Sequence, residues 1–428
     1  MAKERKLPSI ETLALHAGYD PDPTTLSRAV PVYRTTSYVF KDTTHAANLF
    51  GLKEMGNIYT RLMNPTHDVI EKRMAALDGG AAALAHASGT SAIFNAIINI
   101  CEKGDAIVSS NNLYGGTYTM FDAILPQFGI AANLVDPSDP NNFKGAITAK
   151  TKALYIETMG NPSLEVPDFE KIAKIAKEAH IPLIVDATFT TPYLLRPIEH
   201  GANIVVHSLT KWLGGHGVGI GGIIVDAGNF DWTDKKFTLM NEPNKGYHGL
   251  RFAHDLGDMN PIAYIMKIRL VALRNLGACL SPDNAWMFLQ GIETLPLRMK
   301  KHSENAMAVA QYLSKHPKVA WVKYPGMKDN PNYAIASKYL KNGFGGMVVF
   351  GIKGGAKAGE SFINKLQLFS HLANVGDAKS LAIHPASTTH SQLSEQQLLN
   401  AGVMPEMVRL SVGIENIDDI IADLEQAF

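Results

Sequence analysis

Three short stretches carry residue types whose order suggests chemistry. In His207-Ser-Leu-Thr-Lys-Trp-Leu-Gly-Gly215, Lys211 follows an apolar run, with the hydroxyls of Ser208 and Thr210 before it and Trp212-Leu213 after it. An isolated lysine is usually solvated surface. One held in such a pocket loses its charge readily and can form a Schiff base with a carbonyl. Ile181-Pro-Leu-Ile-Val-Asp186 ends an apolar run on a carboxylate. That group can cap a turn, bind a metal or face a cationic ring nitrogen, and taken alone the turn cap is the plainest reading. Ser88-Gly89-Thr90 follows the small-residue run Ala81–Ala87 and opens a helix. Amides at the positive end of a helix dipole bind anions, although the same three residues also make an ordinary helix cap.

The surrounding elements decide where these stretches stand. Residues 1–63, punctuated by Pro8, Pro21, Pro23 and Pro31, read as an irregular extended arm. Asn64-Pro65 predicts an N-cap with proline at the first helical position, in a helix that ends at Gly79-Gly80. Helices over 89–103, 117–127 and 169–180 then alternate with short apolar strands at 106–110, 131–135, 152–158, 181–185, 203–206 and 222–225. The alternation predicts an α/β fold, with a mostly parallel sheet in a large domain over 64–265. Longer helices (265–276, 283–289, 297–315) and strands at 347–351 and 407–410 suggest a smaller α/β domain over 266–428. Ligands of open α/β sheets sit at the carboxyl ends of the strands. Ser88–Thr90, Tyr114, Glu157, Asp186, Ser208, Thr210 and Lys211 all fall there.

Several other readings fall away. Gly217-Val-Gly219-Ile-Gly221-Gly222 matches the dinucleotide pattern GxGxxG, but that motif must open a helix, and here it runs into the strand-like Gly222-Ile-Ile-Val-Asp226. His384 and His390 are too far apart for a helical metal pair, and His86, His207 and His216 read as structural. Cys101 and Cys279 show neither disulfide nor metal spacing, so no metal is expected. The 40 Lys+Arg cancel the 40 Asp+Glu, which is not the footprint of a nucleic-acid binder. No apolar run approaches the ~20 residues of a membrane span. The first residues lack the apolar core of a secretory signal, and a cytoplasmic protein is expected. Charged residues make up 19% of the 428, below the roughly 25% of an average domain, which points to an oligomer. A Schiff-base lysine, an acid for a ring nitrogen and a phosphate cradle are together the parts that pyridoxal phosphate needs.

The ordered motifs Tyr59-Thr-Arg61 with Asn64-Pro-Thr66, Ala87-Ser-Gly-Thr90, Tyr114-Gly-Gly-Thr117, Glu157-Thr-Met-Gly-Asn-Pro162, Asp186-Ala-Thr188, Ser208-Leu-Thr-Lys211, His384-Pro-Ala-Ser-Thr-Thr-His390 and Val408-Arg-Leu-Ser-Val-Gly-Ile-Glu415 span nearly the whole chain. In them the chain resembles the Cys/Met-metabolism family of pyridoxal-phosphate enzymes, whose fold is aspartate-aminotransferase-like (fold type I). The resemblance implies a seven-stranded large domain and a role for each residue. Lys211 would bind the cofactor and shuttle protons, and Asp186 would pair with its ring nitrogen. Thr188 and Tyr114 would lie on the two ring faces. Gly89, Thr90, Ser208 and Thr210 would hold the phosphate, which Tyr59 and Arg61 would reach from a neighbouring subunit. Arg409 would clamp the substrate carboxylate, and Asn161 and Asn374 would lie at the substrate.

Departures within the family narrow the choice. Gly116 stands where methionine γ-lyases usually have Cys. Asn374-Val-Gly-Asp-Ala-Lys-Ser-Leu381 replaces a Ser-Leu-Gly-Gly-Val-Glu-Ser-Leu-like segment of the synthases and lyases, with Lys379 at their Glu. Both this segment and the long stretch 226–261, expected to include a substrate-facing loop, resemble the O-acetylhomoserine sulfhydrylase branch. That branch implies γ-replacement of acetate by sulfide, giving homocysteine for methionine biosynthesis, in a tetramer of paired active dimers. The alternatives are cystathionine γ-synthase and the methionine or cystathionine γ-lyases.

Overall fold

The computed structural model describes residues 8–388 and 404–428, so Thr389 and His390 of the motif that starts at His384 lie outside the described residues. Its strands in chain order are β1 (Ala82–His86), β2 (Ala106–Ser110), β3 (Ala131–Val135), β4 (Thr151–Glu157), β5 (Leu183–Asp186), β6 (Ile204–Ser208), β7 (Gly222–Asp226), β8 (Val319–Lys323), β9 (Met347–Ile352), β10 (Ser370–His371), β11 (Leu381–Ile383) and β12 (Met407–Ser411). By Cα proximity the chain divides into two compact units, each assembled from separate pieces. The first is Met1–Cys101, Asn203–Thr210 and Val218–Glu293; the second is Glu102–Ala202, Lys211–Gly217 and Thr294–Phe428.

In the first unit β7 pairs antiparallel with both β1 and β6. Gly222 stands opposite His86 on one side and Ser208 on the other, so the ends of β1 and β6 meet at one glycine. The helix Pro65–Asp78 packs on β1 and forms as expected. Asn64 accepts the Thr66 amide, Pro65 opens the helix, and Gly79 closes it at φ 76°, a left-handed conformation suited to glycine. The glycine-rich run 217–222 makes no helix and leads into β7, as its sequence predicts. The N-terminal arm is more regular than expected, with helices at Ile10–His16 and Thr43–Phe50. Its prolines fall outside both helices, and the Asp42 carboxylate caps the second by accepting the His45 amide. Within 226–261, Trp232 stacks on Tyr264 at 5.0 Å, and the Tyr247 hydroxyl donates to the Phe50 carbonyl.

In the second unit β5, β4, β2 and β3 lie side by side in parallel. Every residue of β2, β4 and β5 is buried, as expected of parallel strands covered on both faces. The same unit holds a second sheet in the order β10-β11-β12-β9-β8, mostly antiparallel. Its core draws Val309 and Leu313 from the helix Leu295–Lys315, Phe362 from Gly355–Lys365 and Leu424 from Ile417–Ala427 onto Val348, Phe350 and Val408. The expected helix over 117–127 is in fact three short helical segments of different pitch, α over Gly115–Thr119, the wider π over Met120–Ile124 and the tighter 3-10 over Leu125–Phe128. Pro126, which lacks an amide hydrogen, falls at the last change of pitch.

Candidate active site

The first unit contributes an anion cradle. Ser88 caps the helix Gly89–Ile98 by accepting the Ser91 amide at 3.0 Å, and its own amide donates to the Ser91 hydroxyl at 3.1 Å. This box uses the third amide of the helix. The amides of Gly89 and Thr90, at its head, have no helical partner by geometry. A Cβ on Gly89 would lie 2.8 Å from that of Ser208, and one on Gly222 only 2.2 Å from the Ser88 carbonyl oxygen. The turn therefore closes on β6 only where side chains are missing. Ser208 ends β6, and the Thr210 hydroxyl accepts the Gly221 amide at 3.1 Å. Tyr59 and Arg61 belong to the same unit, with the guanidinium 5.0 Å from the centre of the tyrosine ring.

The second unit contributes ionisable groups. The Lys211 amine donates to the Asn374 amide oxygen at 2.5 Å. Burial, and next the Arg409 charge, lower its pKa to about 8. Its segment is stitched in place from two sides. Arg298 donates to the Trp212 and Leu213 carbonyls at 2.7 and 3.2 Å, and the Ala378 amide donates to the Gly215 carbonyl at 2.8 Å. Arg409, buried on β12, donates to the Asn161 side-chain oxygen at 3.0 Å. Burial brings its pKa down to about 10, which leaves it cationic at neutral pH.

Asp186 ends β5 in register with Glu157 at the end of β4. It accepts the Thr188 amide at 2.9 Å and the Tyr155 hydroxyl at 3.5 Å. Glu157 accepts the Tyr114 amide at 2.7 Å. Burial, and then the Asp186 charge, raise the Glu157 carboxyl well above the usual range, which disfavours a second negative charge beside Asp186. The Tyr114 ring is exposed and folds back over Gly116, where a Cβ would lie 2.6 Å from its Cε1.

Of the residues singled out by sequence, Gly89 and Ser208 meet in the first unit. In the second, Lys211 meets Asn374, Arg409 meets Asn161, and Thr188 meets Asp186. Sequence reasoning gave Glu157 a strand end but no partner, and it missed Tyr155 and Arg298. Their parts depend on strand register and on a helix more than 80 residues from the lysine, which no local pattern reveals.

Pyridoxal phosphate carries an aldehyde, a basic ring nitrogen and a phosphate on one small ring, and these residues answer each group. A lysine of depressed pKa suits the aldehyde, and a carboxylate held by a neighbouring amide suits the nitrogen. The cradle that a Cβ at Gly89 would fill, with its hydroxyls, suits the phosphate. Fold and residues thus define a pyridoxal-phosphate enzyme. The chain belongs to the Cys/Met metabolism PLP-dependent enzymes, whose sequence profile matches residues 11–428. It is 59% identical over 423 residues to the O-acetyl-L-homoserine sulfhydrylase of Leptospira meyeri, covering 97% of this chain and 96% of that one. Over 420 residues it is 54% identical to the homocysteine synthase of Schizosaccharomyces pombe, covering 97% of each. A solved structure from Campylobacter jejuni that carries a pyridoxyl-lysine monophosphate superposes with a TM-score of 0.93 at 43% identity, covering 98% of this chain and 99% of that one. The expected fold class therefore holds.

Proposed function

We propose that this chain catalyses γ-replacement, converting O-acetyl-L-homoserine and sulfide to L-homocysteine and acetate. The half-buried Lys211 amine, lowered to a pKa of about 8, carries the reading, and the names of the Leptospira and Schizosaccharomyces relatives support it. When bound, pyridoxal phosphate supplies an electron sink for the negative charge that develops first at Cα and then at Cβ of the amino acid. Asp186 would pair with its ring nitrogen, Thr188 and Tyr114 would lie against the ring, and Gly89, Thr90, Ser208 and Thr210 would hold the phosphate. Arg409 grips the substrate carboxylate in a two-pronged hydrogen bond, and Asn161 fixes the guanidinium plane. Asn374 orients the Lys211 amine. With a pKa of about 8, that amine is partly neutral near pH 7.5 and carries protons one at a time, off Cα and then Cβ before acetate leaves Cγ, and back onto both after sulfide adds there. Acetate is a good leaving group at Cγ and needs little acid; the Tyr114 hydroxyl is the candidate for that role.

Tyr59 and Arg61 complete the phosphate site of a neighbouring copy, in a cytoplasmic tetramer of two active dimers. In the same reading, residues 1–63 form the arm that carries this pair, 64–265 the cofactor domain and 266–428 the smaller domain. Purified protein should form homocysteine from acetylhomoserine and sulfide, and Lys211→Ala should lose both this activity and the visible absorbance of the bound cofactor. A faster reaction with a succinyl or phosphoryl ester, or a preference for cysteine over sulfide, transfers the reading to a synthase. Keto-acid release without sulfide transfers it to a lyase.

A further inference from the structure

The turn that carries Tyr59 and Arg61 is short. Its own main-chain bonds run from the Leu62 and Met63 amides to the Tyr59 carbonyl, at 2.9 and 3.1 Å. The Arg61 Nε is buried with no hydrogen-bond partner among the described residues, so that nitrogen does nothing to anchor the side chain. The Thr60 amide ties the turn to the Thr36 carbonyl at 2.9 Å, and a side-chain anchor comes from 207 residues along the chain. Arg269 donates from one guanidinium nitrogen to the Leu62 carbonyl and from another to Glu71 Oε2, each at 2.5 Å. The other Glu71 oxygen accepts the Ala85 amide of β1 at 3.0 Å, three residues before Ser88. Both side chains are nearly buried, at 15% and 9% exposure. A buried ion pair adds little net stability over an apolar pair of the same volume, so its value here lies in what it fixes. The fork of an arginine holds two acceptors at a set angle, whereas a lysine is a single flexible point.

We propose that Arg269 is a positioning residue for Tyr59 and Arg61, and so acts on the cofactor site of the neighbouring copy of this chain. The inference rests on the shared-site reading above. Glu71 supports Arg269, while its separate bond to Ala85 keeps the cradle of its own chain in register. Losing the fork should therefore loosen the site next door and spare the site at home.

Arg269→Lys tests this, with the cofactor dissociation constant read by absorbance titration and the fold checked by near-ultraviolet circular dichroism. Cofactor binding should weaken about tenfold, or ~1.4 kcal/mol. Hybrids with Lys211→Ala chains should recover wild-type affinity at the competent site, which pairs Lys211 of the Arg269→Lys chain with a Tyr59 and Arg61 held by an intact Arg269. Unchanged affinity in the homo-oligomer, or equally weak binding in the hybrid, overturns the proposal. Parallel hybrids of Arg61→Ala with Lys211→Ala separate the two failures, because no recovery there sinks the shared-site reading itself. Should Arg269→Lys not fold, the neutral pair Arg269→Gln with Glu71→Gln keeps an acceptor for Ala85 and is read in the same way.

Discussion

The first unit offers an anion main-chain amides, hydroxyls and glycines, with Arg61 the one charge among its six candidate residues, and the fit depends on where atoms are missing. The second unit offers ionisable groups whose charge is set first by burial and then by one another: Lys211 is lowered, with Arg409 adding to the effect, and Glu157 is raised, with Asp186 adding to it. A grip made by shape holds its ligand over a wide range of pH and is damaged by one added methyl group. Chemistry made by burial and charge tolerates small changes in shape and fails when a charge is lost or moved. Substitutions in the two units should therefore fail in different ways, one in cofactor affinity and the other in turnover or substrate affinity.

The largest effect should come from Lys211. Lys211→Ala removes the only base proposed at Cα, and turnover should fall by about 10³-fold or more, since a positioned proton-transfer group contributes roughly 10²–10⁴-fold. Lys211→Arg keeps the charge but cannot give up its proton, so it should be equally inactive in a homocysteine assay. Activity above a tenth of wild type in either variant would remove the lysine from the chemistry. Next comes Arg409→Lys, which keeps the charge and loses the second prong. The KM for acetylhomoserine should rise about 10–100-fold with a smaller change in kcat, in line with ~1.5–3 kcal/mol for a hydrogen bond to a charged group. Cofactor affinity should not move; if it did, the division between the units would blur.

Gly89→Ala is the opposite case. The new Cβ lies 2.8 Å from that of Ser208, so the turn must shift where the phosphate would sit. The cofactor dissociation constant should rise about tenfold, a cost of ~1.4 kcal/mol. The kcat of enzyme saturated with cofactor should stay within about twofold of wild type, because none of the groups that move protons belongs to the cradle. A lowered kcat with unchanged cofactor affinity would reverse the assignment.

Much of this contrast was legible in the sequence. The helix caps at Asn64 and Ser88 and the strand ends at Glu157, Asp186 and Ser208 are local patterns, and each falls within a residue or two of its expected place. The two helices of the arm escape a reading based on its prolines, which mark the gaps between helices rather than their absence. The strands β10 and β11 escape the sequence because two or three residues carry too little periodicity to stand out, and β8 because it is mostly half-exposed rather than an apolar run. In the site, residue types gave Lys211, Asp186 and the cradle, but not which group touches which. The bond from Lys211 to Asn374, the register of Glu157 with Asp186 and the Arg298 brace join residues up to 163 apart in the chain. Only the packed sheets bring them together.

The smallest effect tests whether the first unit has an electrostatic weakness away from its cradle. Asp226 ends β7, where it pairs with Ala82 and Ile204, four residues from Gly222, or ~13 Å along the strand. It is fully buried, with one oxygen on the Gly228 amide at 2.8 Å, and burial raises its pKa from 3.8 to about 7. Between about pH 4 and 7 the folded chain therefore keeps a proton that the unfolded chain has released, and stability falls as the pH rises through that window. Above it the ionised carboxylate is a standing cost. Asp226→Asn keeps an acceptor for Gly228 and cannot ionise. At pH 8 it should melt about 2–5 °C higher than wild type at a fixed scan rate, and near pH 4 the gain should vanish. Cofactor affinity should be the same in both proteins. A shift in that affinity would mean that charge at the far end of β7 reaches the cradle, and that the first unit does not work by shape alone.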